Sequence, residues 1–459
     1  MALLMLLLAS FLFCMSLTVE AIGVNYGTLG DNLPPPSQVA KFLQTTSIDR
    51  VKLFGADPSI LQALANTDIG VVVAVANDEI VGLGKLPAAQ DWVKKNLVPY
   101  VPDTKIIAIA VGNEVLSTGD KNLIAHLVPA MQNLHTALAG ASLDKQVKVS
   151  TPHSLGIMAA SEPPSIGRFR RGYDRVIIKP MLSFLRATGA PFMINPYPYF
   201  GFTDKTLNYA LFKPNAGVYD QNTKITYTNM FEAQLDAVFS AMKLLGFPDV
   251  DIVVAETGWP SLGDIDQPAV NMENAISYNG NLVKFVTSGV GTPLMPNRTF
   301  DTYIFALFNE DLKPGSTAER NFGLFKPDMS QVYDVGLMKS QSASPAPVAA
   351  PVIPTPTPTP TTPAPVTGTQ KYWCVAKPDV EERTLQANID YSCGQGIDCS
   401  AIQPGGACYD PNTITAHATY AMNAYYQASG RNSYDCDFGN TALLTQQDPS
   451  YGECVYKVV

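Results

Sequence analysis

The chain repeats one pattern of apolar and polar residues along its first 340 positions. Short β-rich apolar runs alternate with segments of helical period, and nearly all the runs are unbroken, as strands buried on both faces should be. Eight such runs are present, over residues 21–27, 50–55, 70–77, 105–114, 147–153, 191–199, 251–259 and 301–310. This alternation predicts an α/β fold, a (β/α)8 TIM barrel, over residues 22–340.

The alternative fold is an open, doubly wound sheet. Such sheets usually carry a glycine-rich phosphate-binding turn after the first strand, and GVNYGTLGDN does not have that spacing. The closed barrel is therefore the favoured fold.

Composition divides the rest of the chain. Residues 1–21 are an apolar run ending in small residues, which predicts a cleaved signal peptide; the alternative is an N-terminal membrane anchor. Residues 341–370 are rich in Pro and Thr and predict an extended linker. Residues 371–459 hold six of the seven cysteines and predict a small disulfide-rich, partly helical domain. We expect a secreted protein of the apoplast and cell wall, with no membrane anchor in the mature chain.

Charge narrows the choice of partner. The net charge of −9 disfavours binding of nucleic acid and anionic lipid, so we expect a neutral partner. We also expect a monomeric chain. A local exception is GRFRRGYDR, with Arg168, Arg170, Arg171 and Arg175, which we interpret as a solvated loop. The single N-glycosylation sequon begins at Asn297.

Two strand ends carry the candidate chemistry, because active sites of TIM barrels lie at the C-terminal ends of the strands. The fourth run ends with Asn113 and Glu114, and the seventh with Glu256, followed by Trp259. A single glutamate there is usually a helix cap or a solvated loop residue. Two at matching depths on opposite sides of the mouth indicate glycosidic cleavage, in which one carboxyl group protonates the leaving oxygen and the other attacks or stabilises the anomeric carbon.

Other polar and aromatic residues surround this pair. Aromatic side chains at the rim offer flat faces to sugar rings: Tyr26, Tyr197, Tyr199, Phe200 and Trp259. Glu310 stands beside Lys313 and either orients a catalytic carboxylate or pairs with the lysine, while Glu319 is the alternative acid. The four histidines are scattered, and for His153, at a strand end, a structural or substrate hydrogen bond is favoured. We expect no metal and no cofactor.

The motifs GVNYG, VGNE, INPYPYF, ETGWP and FNEDLKPG with ERNFGLF, taken together and in this order, resemble those of plant glycoside hydrolase family 17. The resemblance implies a retaining endo-β-1,3-glucanase with Glu114 as acid/base and Glu256 as nucleophile. It further implies that Glu310 and Lys313 form an auxiliary hydrogen-bonded pair. Tyr26, Asn113 and Tyr197 would then hold substrate and nucleophile.

A retaining mechanism predicts a separation of about 5 to 5.5 Å between the two carboxyl groups. The acid must be protonated when substrate binds, so we expect the pKa of Glu114 to be raised, partly by the charge of Glu256.

The six C-terminal cysteines lack the tight spacing of zinc sites and allow fifteen disulfide pairings. WCVAKP, NIDYSCG, DCSAIQPGGACYDPNT, HATYAMNAYYQ, CDFGNTA and DPSYGECVY resemble carbohydrate-binding module family 43. That resemblance implies binding of β-1,3-glucan and the pairs Cys374–Cys436, Cys393–Cys399 and Cys408–Cys454. Candidates for a sugar-stacking platform, each equally compatible with a place in the core, are Tyr391, Tyr409, Tyr420, Tyr425 and Tyr426.

The two parts together resemble the two-domain β-1,3-glucanases of pollen, a group with an allergenic member. The leading hypothesis is hydrolysis of internal β-1,3 links of wall glucan. An inactive barrel that only binds the wall, and hydrolysis of mixed-linkage glucan by the same carboxylates, are the alternatives.

Overall fold

A computed structural model describes residues 22–339, 371–377, 380–394, 397–429, 431, 433–436, 438 and 441–457. The predicted signal peptide, which includes Cys14, and the whole predicted linker lie outside these residues. The chain divides into two units, residues 1–346 and 347–459. No described helix combines the length and the apolar character that a membrane span requires.

All eight predicted strands are present in the first unit. They are β1 Ile22–Tyr26, β2 Ile48–Leu53, β3 Gly70–Val75, β4 Ile106–Val111, β5 in the two segments Lys148–Ser150 and Pro152–Ser154, β6 Phe192–Asn195, β7 Ile252–Thr257 and β8 Thr302–Ile304. Most are shorter than the apolar runs that predicted them. The run at 105–114, for example, leaves the sheet after Val111 because Gly112 turns the backbone with φ of 69°.

The sheet closes on itself through β5. Its order is β5, β4, β3, β2, β1, β8, β7, β6, β5, and every neighbouring pair is parallel. The first segment of β5 pairs with β4 and the second with β6, so the two ends of the sheet are halves of one strand separated only by Thr151. The predicted TIM barrel is confirmed.

Helices follow most of the strands. They are α1 Pro36–Gln44, α2 Pro58–Ala63, α3 Ile80–Leu83, α4 Leu86–Asn96, α5 Lys121–Gly140, α6 Lys179–Thr188, α7 Pro198–Gly201, α8 Leu207–Ala210, α9 Met230–Leu244 and α10 Met272–Val286. Asp57, Asp120, Asn229 and Asn271 begin four of them as N-caps, each accepting backbone N–H bonds with its side chain. After β8 the chain forms a 3₁₀ turn, Thr317–Arg320, and no α-helix as far as residue 339.

Among the described residues of the first unit, three short antiparallel pairs lie outside the barrel sheet. They are Met158–Ala160 with Arg168–Phe169, Val218–Asp220 with Ile225–Tyr227, and Gly291–Thr292 with Met295–Pro296. A π-helix, Asp174–Ile178, precedes α6.

Strand residues alternate between two apolar layers. In β3, Val71, Val73 and Val75 belong to the large cluster between sheet and helices, whereas Val72 and Ala74 belong to a small cluster inside the barrel. This period of two assigns each strand residue to the inside or the outside of the barrel.

The described part of the second unit contains two α-helices and one strand pair. Helices α11 Glu382–Gly394 and α12 Ile414–Ala428 pack beside the antiparallel strands β9 Trp373–Ala376 and β10 Ala442–Thr445. Three disulfides join Cys374 to Cys436, Cys393 to Cys399 and Cys408 to Cys454. These are the pairs that the family resemblance implies.

Candidate active site

Glu114 lies in a strained turn at the end of β4. Its φ and ψ of 53° and 34° are left-handed, a conformation that costs a non-glycine residue roughly 1–2 kcal/mol. The Asn77 side chain holds this turn: its Oδ1 accepts the backbone N–H of Asn113 at 2.8 Å, and its Nδ2 donates to the Asn113 carbonyl at 3.1 Å. A Cβ on Gly112 would lie 2.6 Å from the same Oδ1, so glycine is required there.

The carboxyl group of Glu114 is poised to carry a proton. Its Oε1 accepts a hydrogen bond from Nδ2 of Asn195, a neutral amide at the end of β6, at 2.9 Å. Burial raises the pKa of Glu114, and the negative charge of Glu256 raises it further. The expected direction is therefore found, with burial as the larger cause.

Glu256 reaches the barrel interior through a bulge in β7. Ile252 and Val254 face the helices, so strict alternation would place Glu256 on the same outer side. Val254 lies opposite Thr302 of β8 and Thr257 lies opposite Ile304, so an advance of three residues along β7 matches an advance of two along β8. Such a bulge re-aims side chains, and here Glu256 meets the inward residues of β2.

The partner of Glu256 is Lys52, the inward-facing lysine of β2. The Lys52 Nζ donates to Glu256 Oε1 at 2.9 Å, and the side chains are 1 % and 8 % exposed, respectively. On the other oxygen, the Tyr197 hydroxyl donates to Oε2 at 3.3 Å. Lys52 also stands 4.1 Å from the ring centroid of Phe54. These two donors, one of them the positively charged Lys52, hold the Glu256 carboxyl group in one orientation.

Tyr197 shows that the acidic residues share one mouth. Its pKa is raised well above the ordinary tyrosine value by burial and then by the negative charges of Glu256, Glu114 and Glu319. Phe200 lies beside it, with ring centroids 5.3 Å apart, and is 67 % exposed. The structure therefore brings together both candidate catalytic glutamates, Tyr197 and an exposed aromatic ring.

Glu310 and Lys313 are hydrogen-bonded through the backbone, the Lys313 N–H donating to the Glu310 carbonyl at 3.3 Å, but their side chains turn to different partners. The Glu310 carboxylate turns toward the loop after β1, where Oε1 accepts the Leu29 N–H at 2.7 Å and packs so closely on Gly27 that a methyl group there would overlap it. The Lys313 ammonium instead pairs with Glu319 at 3.5 Å. Burial raises the pKa of Glu310.

Two expected sugar contacts are also corrected. Trp259 has no exposed surface, because its indole packs among Tyr199, Phe202 and Tyr278 and its Nε1 donates to the Ala269 carbonyl at 3.0 Å.

Tyr26 points to the helix-facing side of β1, is only 4 % exposed and packs edge-on against Phe308. Neither ring has a free face for a sugar.

His153 is structural. Its ring is fully buried, Nε2 lies 3.2 Å from the Met181 sulfur, and burial lowers its pKa to about 3. Among the residues that the structure describes, no group of three or more His, Cys, Asp or Glu side chains is placed to hold a metal ion. Asn297 of the sequon is exposed.

Sequence reasoning missed Lys52, Asn77 and Asn195. Lys52 carried a signal, since a charge inside the otherwise buried RVKLFG run demands a buried partner. Asn195 ends a strand just as Asn113 follows one, and that position was the available indication. Asn77 acts only through the backbone of another loop, and the sequence offers no signal for that contact.

In the second unit, one of the candidate tyrosines is excluded as a platform because Tyr426 is 3 % exposed. Tyr391 is 47 % exposed, packs edge-on against Tyr425 with centroids 5.4 Å apart, and both rings contact Phe438. Tyr409 and Tyr420 pack on His417 and Tyr456, respectively.

Comparison with known proteins gives two family matches. The model of glycosyl hydrolases family 17 matches residues 22–337, and that of the X8 domain matches residues 372–443. Glucan endo-1,3-beta-glucosidase 7 of Arabidopsis thaliana is 51% identical over 95% of this chain and 84% of its own length. Glucan endo-1,3-beta-D-glucosidase of Olea europaea is 49% identical over 94% of this chain and 92% of its own.

Solved structures resemble the first unit. CJP38, a beta-1,3-glucanase and allergen of Cryptomeria japonica pollen, is 43% identical with a TM-score of 0.66, over 70% of this chain and all of its own. One of two plant beta-glucan endohydrolases with distinct substrate specificities is 38% identical with a TM-score of 0.63, over 69% of this chain and all of its own.

Proposed function

Since this chain belongs to glycosyl hydrolases family 17, we propose that it hydrolyses internal β-1,3 links of glucan, with Glu114 as acid/base and Glu256 as nucleophile. The observation that carries this assignment is the different environment of the two carboxyl groups. Glu114 accepts from a neutral amide and has a raised pKa, whereas Glu256 is paired with the Lys52 ammonium. Environments that differ in this way separate an acid from a nucleophile.

The reaction then takes two steps. In the first, a Glu256 oxygen bonds to the anomeric carbon while Glu114 gives its proton to the departing glycosidic oxygen, and the glycosidic bond breaks. In the second, Glu114 takes a proton from water, the water oxygen bonds to the anomeric carbon, and Glu256 is released. Tyr197 and Lys52 hold Glu256 throughout, and Asn195 orients Glu114.

The relatives support the β-1,3 linkage. Those from Arabidopsis thaliana and Olea europaea are named as glucan endo-1,3-beta-glucosidases, and this chain matches them over most of their length. The X8 domain is a carbohydrate-binding module. We propose that it binds β-1,3-glucan and raises the local concentration of substrate. The proposal includes cleavage of residues 1–21, secretion to the apoplast, a linker over 341–370, a glycan on Asn297 and a monomeric chain.

Release of reducing sugar from laminarin by the intact protein tests the activity. Wild type should hydrolyse laminarin, and Glu256→Ala should lose nearly all activity. Absence of hydrolysis by the folded wild type would instead support an inactive, wall-binding barrel. A parallel assay on mixed-linkage glucan separates the second candidate substrate, which is retained because one solved relative is described as having a distinct specificity.

Stereochemistry tests the assigned roles. Proton NMR of the first product should show the β-anomer, because two displacements at one carbon restore its configuration. A crystal structure should place the two carboxyl groups about 5 to 5.5 Å apart. An α-anomer, or a gap of roughly 6.5 Å or more with room for water, would contradict the nucleophilic role of Glu256.

A further inference from the structure

A cluster of arginines lies on the barrel unit, in the segment between β5 and α6. The hairpin of Met158–Ala160 with Arg168–Phe169 leads into a turn, so that Arg168, Arg170, Arg171 and Arg175 fall within eight residues. All four side chains are exposed, and none forms an ion pair with any residue that the structure describes. With Asp174 as the one acidic residue among them, residues 168–175 carry a net charge of +3 in a chain with net charge −9.

The backbone that carries the arginines is held in place. Gly167 lies against the Ala237 carbonyl of α9, where any side chain would overlap it. The Arg170 N–H donates to the Ile157 carbonyl at 2.8 Å, and the Asp174 N–H donates to the Arg170 carbonyl at 3.0 Å. The cluster is therefore presented by a packed hairpin and turn.

A cavity of about 370 Å³ opens beside two of the arginines. Its wall combines Arg168 and Arg171 with a mainly apolar surface from the hairpin and α9: Ala159, Phe169, Ala241, Leu244 and Leu245. Leu244 is 70 % exposed. Asp174, the one carboxylate in the wall, accepts the backbone N–H groups of Gly172 and Arg175.

The wall draws on two parts of the barrel unit. The hairpin and turn belong to the segment between β5 and α6, whereas Ala241, Leu244 and Leu245 come from the C-terminal end of α9. Neither candidate catalytic glutamate lines the cavity.

We propose that this arginine-lined cavity binds a polyuronate, an acidic polysaccharide of hexuronic acid units. A hexuronate ring offers a C–H face for the exposed Leu244 side chain and a carboxylate for the guanidinium groups, which bind carboxylates with two parallel hydrogen bonds. The acidic remainder of the chain repels any polyanion, but it repels nucleic acid more strongly, because a DNA duplex carries two phosphates per base pair whereas a polyuronate carries one carboxylate per sugar ring. The site would retain the enzyme on acidic wall polymer while it hydrolyses neutral glucan.

Affinity electrophoresis of the intact protein through polygalacturonate, at low and high salt, tests the proposal. Wild type should be retarded at low salt and released by high salt, and Arg168→Gln/Arg171→Gln should bind roughly tenfold more weakly. The matched control, Lys121→Gln/Lys145→Gln, removes the same charge from two exposed lysines elsewhere and should bind within about twofold of wild type.

Two further measurements distinguish the sources of a negative result. Fully methyl-esterified pectin, which lacks the charge, should not retard the protein, and all variants should hydrolyse soluble laminarin equally. No retardation of wild type, equal losses in both double variants, or equally strong retention of a DNA duplex would overturn the proposal. Loss of laminarin hydrolysis in wild type would bear on the catalytic assignment alone.

Discussion

Replacement of Lys52 by methionine tests whether the buried ammonium organises the catalytic pair. Methionine keeps the length and apolar stem of lysine but removes the charge that lies 2.9 Å from Glu256 Oε1. Both side chains are over nine-tenths buried, so solvent cannot take over the role of the lost partner. Breaking a buried pair in this way costs about 3 kcal/mol or more, because the remaining charge is left uncompensated.

If that cost falls on the nucleophile, kcat should decrease roughly a hundredfold. The pH profile should also move. The Lys52 charge lowers the pKa of Glu114, so its loss lets Glu114 hold its proton to higher pH. The basic limb, where the acid must keep its proton, should therefore shift upward.

Laminarin hydrolysis across a pH series, together with thermal unfolding, provides the readout. Lys213→Met is the matched control, since it breaks an ion pair with Glu273 on the protein surface and should change kcat less than twofold. If Lys52→Met unfolds at lower temperature, Glu256→Gln added to it should restore the unfolding temperature by removing the unpaired charge. A Lys52→Met enzyme with kcat within threefold of wild type and an unmoved profile would refute the reasoning.

Three further predictions follow from individual contacts. Asn77→Ala removes both hydrogen bonds to the Asn113 backbone, and kcat should fall roughly tenfold with KM little changed, measured on laminarin. Glu310→Gln should raise the unfolding temperature at pH 7. Burial raises the pKa of Glu310 in the folded state, so keeping this side chain ionised at pH 7 lowers the stability of the wild type. The gain should vanish below the unfolded-state pKa of about 4.3, where the side chain is protonated in both states. Tyr391→Ala should weaken pelleting with insoluble β-1,3-glucan roughly three- to tenfold.

Each of these has a control of the same chemical kind. Asn133→Ala removes a side-chain bond to the Leu83 carbonyl on the barrel exterior and should leave kcat unchanged. An equal loss in both asparagine variants would contradict the positioning role of Asn77. Glu79→Gln, at an exposed residue, should not change the unfolding temperature in the way Glu310→Gln does. Tyr409→Ala should pellet with the glucan as wild type does. If Tyr409→Ala, and not Tyr391→Ala, pelleted less, the sugar-binding platform would lie at Tyr409.

The barrel was predictable because its strands are buried on both faces and read as unbroken apolar runs. The same property limits prediction within each run, since an apolar run does not show which residues face inward. Trp259 illustrates the limit. The sequence shows that Trp259 lies just beyond the seventh strand. The direction of its side chain depends on the pocket formed by Tyr199, Phe202 and Tyr278, which come from two other segments of the chain.

Each catalytic candidate also depends on a departure from regular structure. Alternation in β7 assigns Glu256 to the outer layer, and only the bulge beside β8 brings it to Lys52. Glu114 lies beyond the last regular residue of β4 and takes its direction from a left-handed turn that Asn77 holds. Regular strands would place one carboxylate against the helices and leave the other without a defined direction.

The two departures have different physical causes, and these match the two proposed roles. The bulge is part of a hydrogen-bonded sheet and holds Glu256 rigidly between Lys52 and Tyr197, as a nucleophile that must meet one carbon atom requires. The turn at Glu114 is held by hydrogen bonds from the Asn77 side chain, so the carboxyl group lies on a short, fixed loop. From there the carboxyl group gives its proton to the leaving oxygen and then takes one from water. Weakening the clamp should therefore impair the proton transfers of the two steps, whereas loss of Lys52 should impair the bonding of Glu256 to the anomeric carbon.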